Sequence, residues 1–397
     1  MEKKPRLKIL IVSQYFWPEN FRVNDLVNYF KHRNLEIEIL TGQPNYPGGK
    51  IYDEFLKNPN KFKLFDGYKV HRVPILSRGS GSNTRLVFNY LSFLISSIFF
   101  GIFIFRKKQF DYIFTFGTSP LTVAISSLII AKISKAKTIL WVLDLWPDII
   151  FDLGIFKNNY LKKILSKVIQ YIFNKTDIIF AQSNGYMKKI KTLVDNKNKI
   201  FFLPSWPEIQ NEDDIETSHE VFIKNFQEHN LNIFFTGSIG DAQNYRNIIY
   251  IINETKNKKI KWYIIGGGRR FKELSKLKNE YNLNNLELLD HIPLAKIAKY
   301  QKKADILFLS LKDGEALSRT IPGKFSTYLK FKKPILGLIS GETKNLINNY
   351  NVGLAFDAGN EDELIKSLDY FAELKKKGTL NSKFTEHEKL LLKFDYT

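Results

Sequence analysis

Short apolar runs rich in β-branched residues alternate with segments of helical period along the whole chain, and the alternation starts afresh near its middle. In the first half the runs fall at 8–13, 36–41, 112–117, 138–143, 178–182 and 200–203. In the second half they fall at 232–236, 261–265, 286–289, 305–309, 334–338 and 353–356. After the first run, Val23, Leu26, Val27 and Phe30 recur at the spacing of one helix face. Strands alternating with helices need crossover connections, which predicts parallel sheets covered by helices on both faces. The expectation is an α/β chain of two Rossmann-like, doubly wound domains, and 397 residues suffice for each to bury its own core. The boundary is expected where Pro204-Ser205-Trp206-Pro207 runs into Glu208, Glu212, Asp213, Asp214, Glu216 and Glu220 without periodicity. That divides the chain into 1–206 and 207–380, with 381–397 as a further helical segment.

Charge is unevenly spread. The chain carries 60 Lys and Arg against 40 Asp and Glu, a net +20; residues 1–206 hold 31 basic and 14 acidic side chains, so nearly all the excess lies there. Such a half is suited to something anionic: phospholipid headgroups, a lipid-linked phosphate acceptor or nucleic acid. The absence of cysteine excludes a disulfide framework, thiolate metal sites and thiol nucleophiles, and fits a reducing, cytoplasmic setting. At the start, the apolar run is broken by Gln14 and followed by Trp17-Pro18, so no signal peptide is read there.

Residues 86–105 form 20 positions without a charge, flanked by Arg85 and by Arg106-Lys107-Lys108. Length permits a membrane span. A span would place strands of one parallel sheet on opposite sides of a bilayer, so a buried helix and a helix lying in the bilayer interface stand beside it as readings. The basic flanks and aromatic content favour contact with an anionic membrane surface.

Three loops of the second half follow strands at the sheet edge where open α/β folds bind ligands. Gly266-Gly267-Gly268-Arg269-Arg270 lets backbone N–H groups approach a phosphate at a helix start, but Phe271 stands where a dinucleotide fingerprint needs its last glycine. Gly237, Ser238, Gly240, Gln243 and Asn244 make a polar loop able to donate hydrogen bonds to a pyrophosphate. Arg319-Thr320-Ile321-Pro322-Gly323-Lys324 ends on a lysine in the first turn of a helix, the wrong sign for the helix dipole unless an anion arrives there. Tyr328 is expected one turn further on the same face. In the first half, Glu19 follows Trp17, while Asp144 and Asp148 flank Trp146, all just past strand ends. Aromatic faces beside carboxylates suit a sugar ring, and a paired-carboxylate hydrolase is an alternative chemistry for the same residues. No Walker loop occurs, and the six histidines show no metal spacing.

Taken in order, WPENFRVNDL, LTGQPNYPGGKIYDEF, DLWPD, LPSWPE, FTGSIGDAQN and IPGKF resemble bacterial glycosyltransferases of family 4. Those enzymes have the GT-B fold, in which two Rossmann-like domains face a central cleft. Within the family the similarity is to enzymes that build O-antigen and capsule, including the N-acetyl-L-fucosamine transferase type. The resemblance implies retaining transfer of a sugar, such as an N-acetylated amino sugar, from a nucleotide diphosphate, usually uridine, onto a polyprenyl-pyrophosphate-linked glycan. It implies no metal and no cofactor, and a place on the inner face of the cytoplasmic membrane. Donor binding is then expected in the C-terminal domain at Gly237, Ser238, Gly240, Gln243, Asn244, Gly267, Gly268, Arg269, Ile292, Arg319, Pro322, Gly323, Lys324 and Tyr328. Acceptor binding is expected in the N-terminal domain at Trp17, Asn20, Arg22, Asn45, Tyr46 and Trp146, with 381–397 crossing back to that domain.

The chain departs from the family pattern in three places. Aligned on Pro334, the two family glutamates fall on Arg319 and Thr327, which leaves Glu315 as a substitute. The family's phosphate-binding arginine and lysine fall on Ser238 and Gln243, so the cationic duty is expected at Arg319 and Lys324. The family's N-terminal histidine has Asp144 at the matching strand end, so Asp144 or Glu19 is expected to orient or deprotonate the acceptor hydroxyl. A nonhydrolysing nucleotide-sugar epimerase of the same architecture and a basic nucleic-acid-binding protein are the alternative functions.

Overall fold

The computed structural model describes residues 6–31, 33, 35–79, 81–208, 230–290, 292 and 294–395. The acidic stretch from Glu212 to Glu220 and His291 lie outside them. The chain divides into two compact units, 1–203 and 204–397, three residues ahead of the expected boundary.

In the first unit the elements run β1 (Leu7–Val12), α1 (Arg22–Phe30), β2 (Leu35–Gly42), α2 (Asp53–Lys57), β3 (Leu64–Phe65), β4 (Tyr68–Val73), α3 (Asn83–Phe105), β5 (Tyr112–Gly117) and α4 (Val123–Ser134). They continue as β6 (Lys137–Val142), α5 (Asp148–Asp152), α6 (Asn159–Lys175), β7 (Ile178–Ala181), α7 (Asn184–Lys191) and β8 (Ile200–Phe202). Their sheet has the order β3-β4-β2-β1-β5-β6-β7-β8, parallel except for the β3–β4 hairpin. Ile9–Val12 of β1 pair with Ile37–Leu40 on one side and Tyr112–Thr115 on the other. The order reverses there, so the loops after β1 and β5 flank the crevice where ligands of such sheets bind.

The second unit contains β9 (Leu231–Thr236), α8 (Tyr245–Glu254), β10 (Ile260–Ile265), α9 (Phe271–Glu280), β11 (Leu286–Leu289), α10 (Leu294–Lys303), β12 (Ile306–Ser310), α11 (Glu315–Ser318) and α12 (Gly323–Leu329). It ends with β13 (Ile335–Leu338), α13 (Glu342–Asn349), β14 (Gly353–Phe356), α14 (Glu361–Lys376), α15 (Leu380–Lys383) and α16 (His387–Leu391). The sheet is parallel throughout, ordered β11-β10-β9-β12-β13-β14, with its reversal between β9 and β12. Strands β9, β10 and β12 are buried on both faces, which explains why they read as continuous apolar runs. Every strand expected from the sequence is present, with ends that differ by a residue at most.

The sequence reading missed the β3–β4 hairpin. Asp66 and Gly67 both take positive φ, 48° and 88°, the conformation of a tight hairpin turn, and an Asp-Gly pair between apolar residues is the signal for it. Lys69, His71 and Arg72 interrupt the apolar pattern of β4.

α3 is neither buried nor free. Leu86, Asn89, Phe93, Ser97, Gly101 and Phe105 are its buried residues, and Phe93 and Phe105 join a core with Leu10, Val12, Leu40, Ile113 and Ile130. A Cβ on Gly101 would stand 2.6 Å from Ile130 Cδ1, so this glycine sets how closely α3 approaches α4. On the other side Phe88, Leu91, Ile95, Phe99 and Phe103 are roughly half exposed, which rules out the fully buried reading. The strands before and after α3 belong to one sheet, so the helix lies along the unit.

The terminal segment packs on helices of the second unit. Phe394 meets Phe325 edge-on at 5.8 Å, His387 Nε2 donates to the Lys333 carbonyl at 2.9 Å, and Phe384 packs on Phe371.

Candidate functional site

In the second unit the loops after β9 and β10 are built against each other. Gly237 N donates to Ile265 O at 2.8 Å, Ile239 N to Gly267 O at 2.7 Å and Arg270 N to Ile239 O at 3.1 Å. The approach requires glycine twice: a Cβ on Gly266 (φ 148°) would lie 2.2 Å from Gly237 O, and one on Gly268 (φ 115°) 2.4 Å from Ile239 O. Gly267 is different, because a Cβ there meets nothing within 4 Å. Its missing side chain therefore leaves open space that no packing demands.

Lys324, at the start of α12, points into this arrangement. Its Nζ lies 3.6 Å from the centroid of the Phe235 ring and 3.3 Å from where a Cβ of Gly237 would stand. The amine is inaccessible to solvent and has no hydrogen-bond partner among the described residues. Burial lowers its pKa to about 7, with the Glu208 charge opposing the shift. An ammonium taken out of water without an acceptor is costly, and the ring quadrupole offsets only part of that. The site is thus electrostatically incomplete until an anion enters.

The remaining donor residues have distinct placements. Ser238 is exposed at the loop tip. Gln243 Oε1 accepts from Gly240 N at 2.8 Å, closing the turn before α8, and Asn244 adopts the left-handed conformation at the helix start. Arg269 does not stand free: Asp241 binds it at 3.0 Å and Arg270 at 2.6 Å. Arg319 pairs with Glu315 at 2.7 Å, which ties the proposed glutamate substitute to the proposed phosphate cation. Pro322 and Gly323 set the turn that delivers Lys324, and Ile292 lies just past the end of β11, partly exposed.

Tyr328 is not on the ligand side. It is fully buried, and its hydroxyl accepts from Thr236 N at 2.9 Å and lies 3.1 Å from Thr236 Oγ1, which Gln301 also reaches at 2.8 Å. Burial pushes its phenol up to about 12, so it remains a neutral brace beneath the end of β9. Its position one turn beyond Lys324 puts it on the interior side of a helix whose residues Phe325–Leu329 are all buried.

In the first unit Glu19 is buried and organises two loops. Its Oε1 accepts from Asn45 N and Tyr46 N, both at 2.7 Å, and Oε2 from Phe16 N at 3.3 Å. Burial raises its pKa to about 7 against those bonds. Asp144 Oδ2 accepts from Ser119 N at 2.9 Å, joining the loops after β5 and β6; burial raises its pKa as well. Asp148 is held by Lys162 at 3.3 Å and Lys189 at 3.8 Å. Each carboxylate of the hydrolase alternative thus has its own separate partners.

Of the expected acceptor residues, Trp17 packs on Phe62 and Phe65, and its carbonyl accepts from Arg72 Nη2. Asn20 is exposed and Arg22 partly so. Asn45 is buried, with its Oδ1 accepting from Arg78 N at 3.2 Å. Trp146 has an indole N–H that is inaccessible and unbonded among the described residues. Tyr46 belongs to an aromatic cluster that the sequence reading missed: Tyr15 stacks on Phe21 at 4.8 Å, Tyr46 tilts against both, and the Arg78 guanidinium lies 5.0 Å from the Tyr46 centroid and 5.7 Å from that of Tyr15. These residues come from the loops after β1, β2 and β4, which only the sheet order brings together. Among the described residues no group of three or more His, Asp or Glu side chains is placed to hold a metal.

Residues 217–388 match the family described as glycosyl transferases group 1. An Escherichia coli (strain K12) protein, provisionally named as the colanic acid biosynthesis glycosyl transferase WcaI, is 23% identical over 336 residues, covering 81% of either chain. Among solved structures, Anabaena Alr3699/HepE in complex with UDP and glucose superposes with a TM-score of 0.64 at 12% identity, over 98% of this chain and 96% of that one. A Listeria monocytogenes protein provisionally named as a UDP-N-acetylglucosamine 2-epimerase gives 0.60 at 10% identity, over 96% and 92%. The specific likeness to a fucosamine transferase finds no counterpart among these relatives. With its two parallel-dominated α/β sheets, the chain has the fold of the GT-B glycosyltransferases, and most of its second unit matches the group 1 glycosyl transferase family.

Proposed function

We propose that this protein is a retaining glycosyltransferase that moves a sugar, such as an N-acetylated amino sugar, from a UDP-linked donor onto a lipid-linked glycan during surface polysaccharide (O-antigen or capsule) assembly. The observation that carries the reading is the solvent-inaccessible Lys324 amine, without a hydrogen-bond partner among the described residues, beside two glycine loops at the switch point of a parallel sheet. A diphosphate supplies the missing counter-charge, and the backbone of the loops supplies donors for its oxygens. UDP in a fold neighbour and colanic acid in the name of a sequence relative support the nucleotide and the polysaccharide.

In the proposed reaction the bond from the anomeric carbon to the diphosphate breaks, and the acceptor oxygen bonds to that carbon on the same face. The hydroxyl proton passes to the departing phosphate oxygen. Lys324 and the loop amides stabilise the charge that develops on the leaving group, and no metal is invoked. Glu19 and Asp144 act here as positioning residues that fix the acceptor loops.

The exposed stripe of α3, with Arg106 and Lys107 after it, supports a peripheral place on an anionic membrane surface, the inner face of the cytoplasmic membrane. The test of the donor site is thermal shift with UDP, UMP and uridine on wild type and Lys324→Met. UDP is expected to raise the melting temperature of wild type only. An equal shift in both proteins would overturn the proposal, and donor consumption with no acceptor present would point to epimerase chemistry.

A further inference from the structure

Two arginines of the first unit have no counter-charge among the described residues and stand where the aromatic cluster meets the apolar helix. Arg78 Nη1 donates to the Tyr15 hydroxyl at 3.1 Å, and the guanidinium rests over two phenol rings. Among the described residues no carboxylate pairs with it. Arg85 is exposed in the first turn of α3 and also lacks an acidic partner there; its Nε lies 3.0 Å from where a Cβ of Gly79 would stand. Gly79, next to Arg78, is held in place, because its N donates to Gly49 O at 2.8 Å and a Cβ on Gly49 would lie 2.0 Å from Gly79 O. Leu76 and Phe88, both more than half exposed, continue the surface into the α3 stripe.

We propose that Arg78 and Arg85 form the subsite for a diphosphate carried on a membrane lipid, with the lipid tail along the stripe of α3 and the first sugar on the aromatic cluster. The proposal rests on the lipid-linked acceptor named above. Planar guanidinium forks match phosphate oxygens bidentately, and one beside the pinned Gly79 with the other in the first turn of α3 against that glycine suit two adjacent phosphates. Stacking on Tyr15 and Tyr46 keeps Arg78 in place without neutralising it, so its charge stays available to an anion. Bilayer headgroups offer related chemistry, but Arg106 and Lys107 at the far end of α3 already serve them; the head end alone adjoins the aromatic rings.

The test is flotation of the full-length protein with phosphatidylcholine vesicles carrying either a polyprenyl diphosphate or phosphatidylglycerol at equal charge. Wild type is expected to prefer the diphosphate vesicles. The Arg78→Gln/Arg85→Gln variant is expected to bind those about tenfold more weakly and the phosphatidylglycerol vesicles within about twofold of wild type. No preference in wild type, an undiminished preference in the variant, or equal loss on both vesicles would overturn the subsite. Arg85→Gln alone, at an exposed position, gives the same reading at smaller amplitude if the double variant fails to fold. UDP-induced thermal shift in the same samples separates this outcome from the donor site: a retained shift with failed vesicle selectivity sinks only the subsite, and an absent shift in wild type sinks the donor reading.

Discussion

The Lys324 amine lies 3.6 Å from the centre of the Phe235 ring and hydrogen-bonds to nothing among the described residues. A buried lysine without a hydrogen-bond partner costs stability, so Lys324→Met should stabilise the ligand-free protein by on the order of 1 kcal/mol, read by thermal melting, while abolishing the response to UDP. Gain of stability with loss of binding distinguishes a ligand residue from a structural one. A destabilised variant would contradict the role.

The same group gives a pH signature. Its folded pKa of about 7 lies below the ordinary lysine value of 10.5, so between these limits the unfolded chain binds more protons, and Lys324 makes stability rise with pH across that window. Donor binding runs the other way. A diphosphate favours the charged amine, so UDP affinity should be flat below pH 7 and fall above it, with proton uptake measurable by calorimetry in buffers of different ionisation heat. Lys324→Arg, charged throughout, should lose that slope.

Glycines 266 and 267 should part company. Gly266→Ala drives a Cβ to 2.2 Å from Gly237 O at a φ of 148° and should cost several kcal/mol or prevent folding. Gly267→Ala meets nothing, so its stability should stay within about 0.5 kcal/mol of wild type while UDP binding weakens, because the methyl enters space reserved for ligand. Unchanged UDP affinity in Gly267→Ala would move the donor away from this loop.

How far the sequence could be read follows from where each signal resides. The parallel strands are local and apolar, and the Lys324 conflict with the helix dipole is local too, so both were visible. Helical spacing gives Tyr328 a face but not its direction, which the burial of Phe325 and Leu329 decides. Arg78 carries no local signal at all. Its surroundings come from Tyr15 and Tyr46, which lie on separate loops and meet it only because β4, β2 and β1 are neighbours in one sheet.

Glu19 should prove a brace for the acceptor loops. Glu19→Gln turns an amide N–H₂ toward the Asn45 and Tyr46 N–H groups or leaves Phe16 N unbonded, a loss of about 1–3 kcal/mol by thermal melting. Its folded pKa of about 7 exceeds the usual 4.5, so the native state holds the extra proton, and the Glu19 contribution to stability declines as pH rises from 4.5 to 7. The variant should lack that decline.

The two sides of α3 call for opposite outcomes. Phe93 is buried against Leu10 and Ile113, so Phe93→Ala should cost about 3–5 kcal/mol of stability. Ile95 and Phe99 are more than half exposed, so Ile95→Glu and Phe99→Glu remove no core contact and should each leave stability within about 0.5 kcal/mol. A carboxylate on the stripe both forfeits apolar insertion and repels anionic headgroups, so each glutamate should release the protein from phosphatidylglycerol vesicles in flotation. Vesicle binding that survives both glutamates would mean that α3 is covered by something other than lipid.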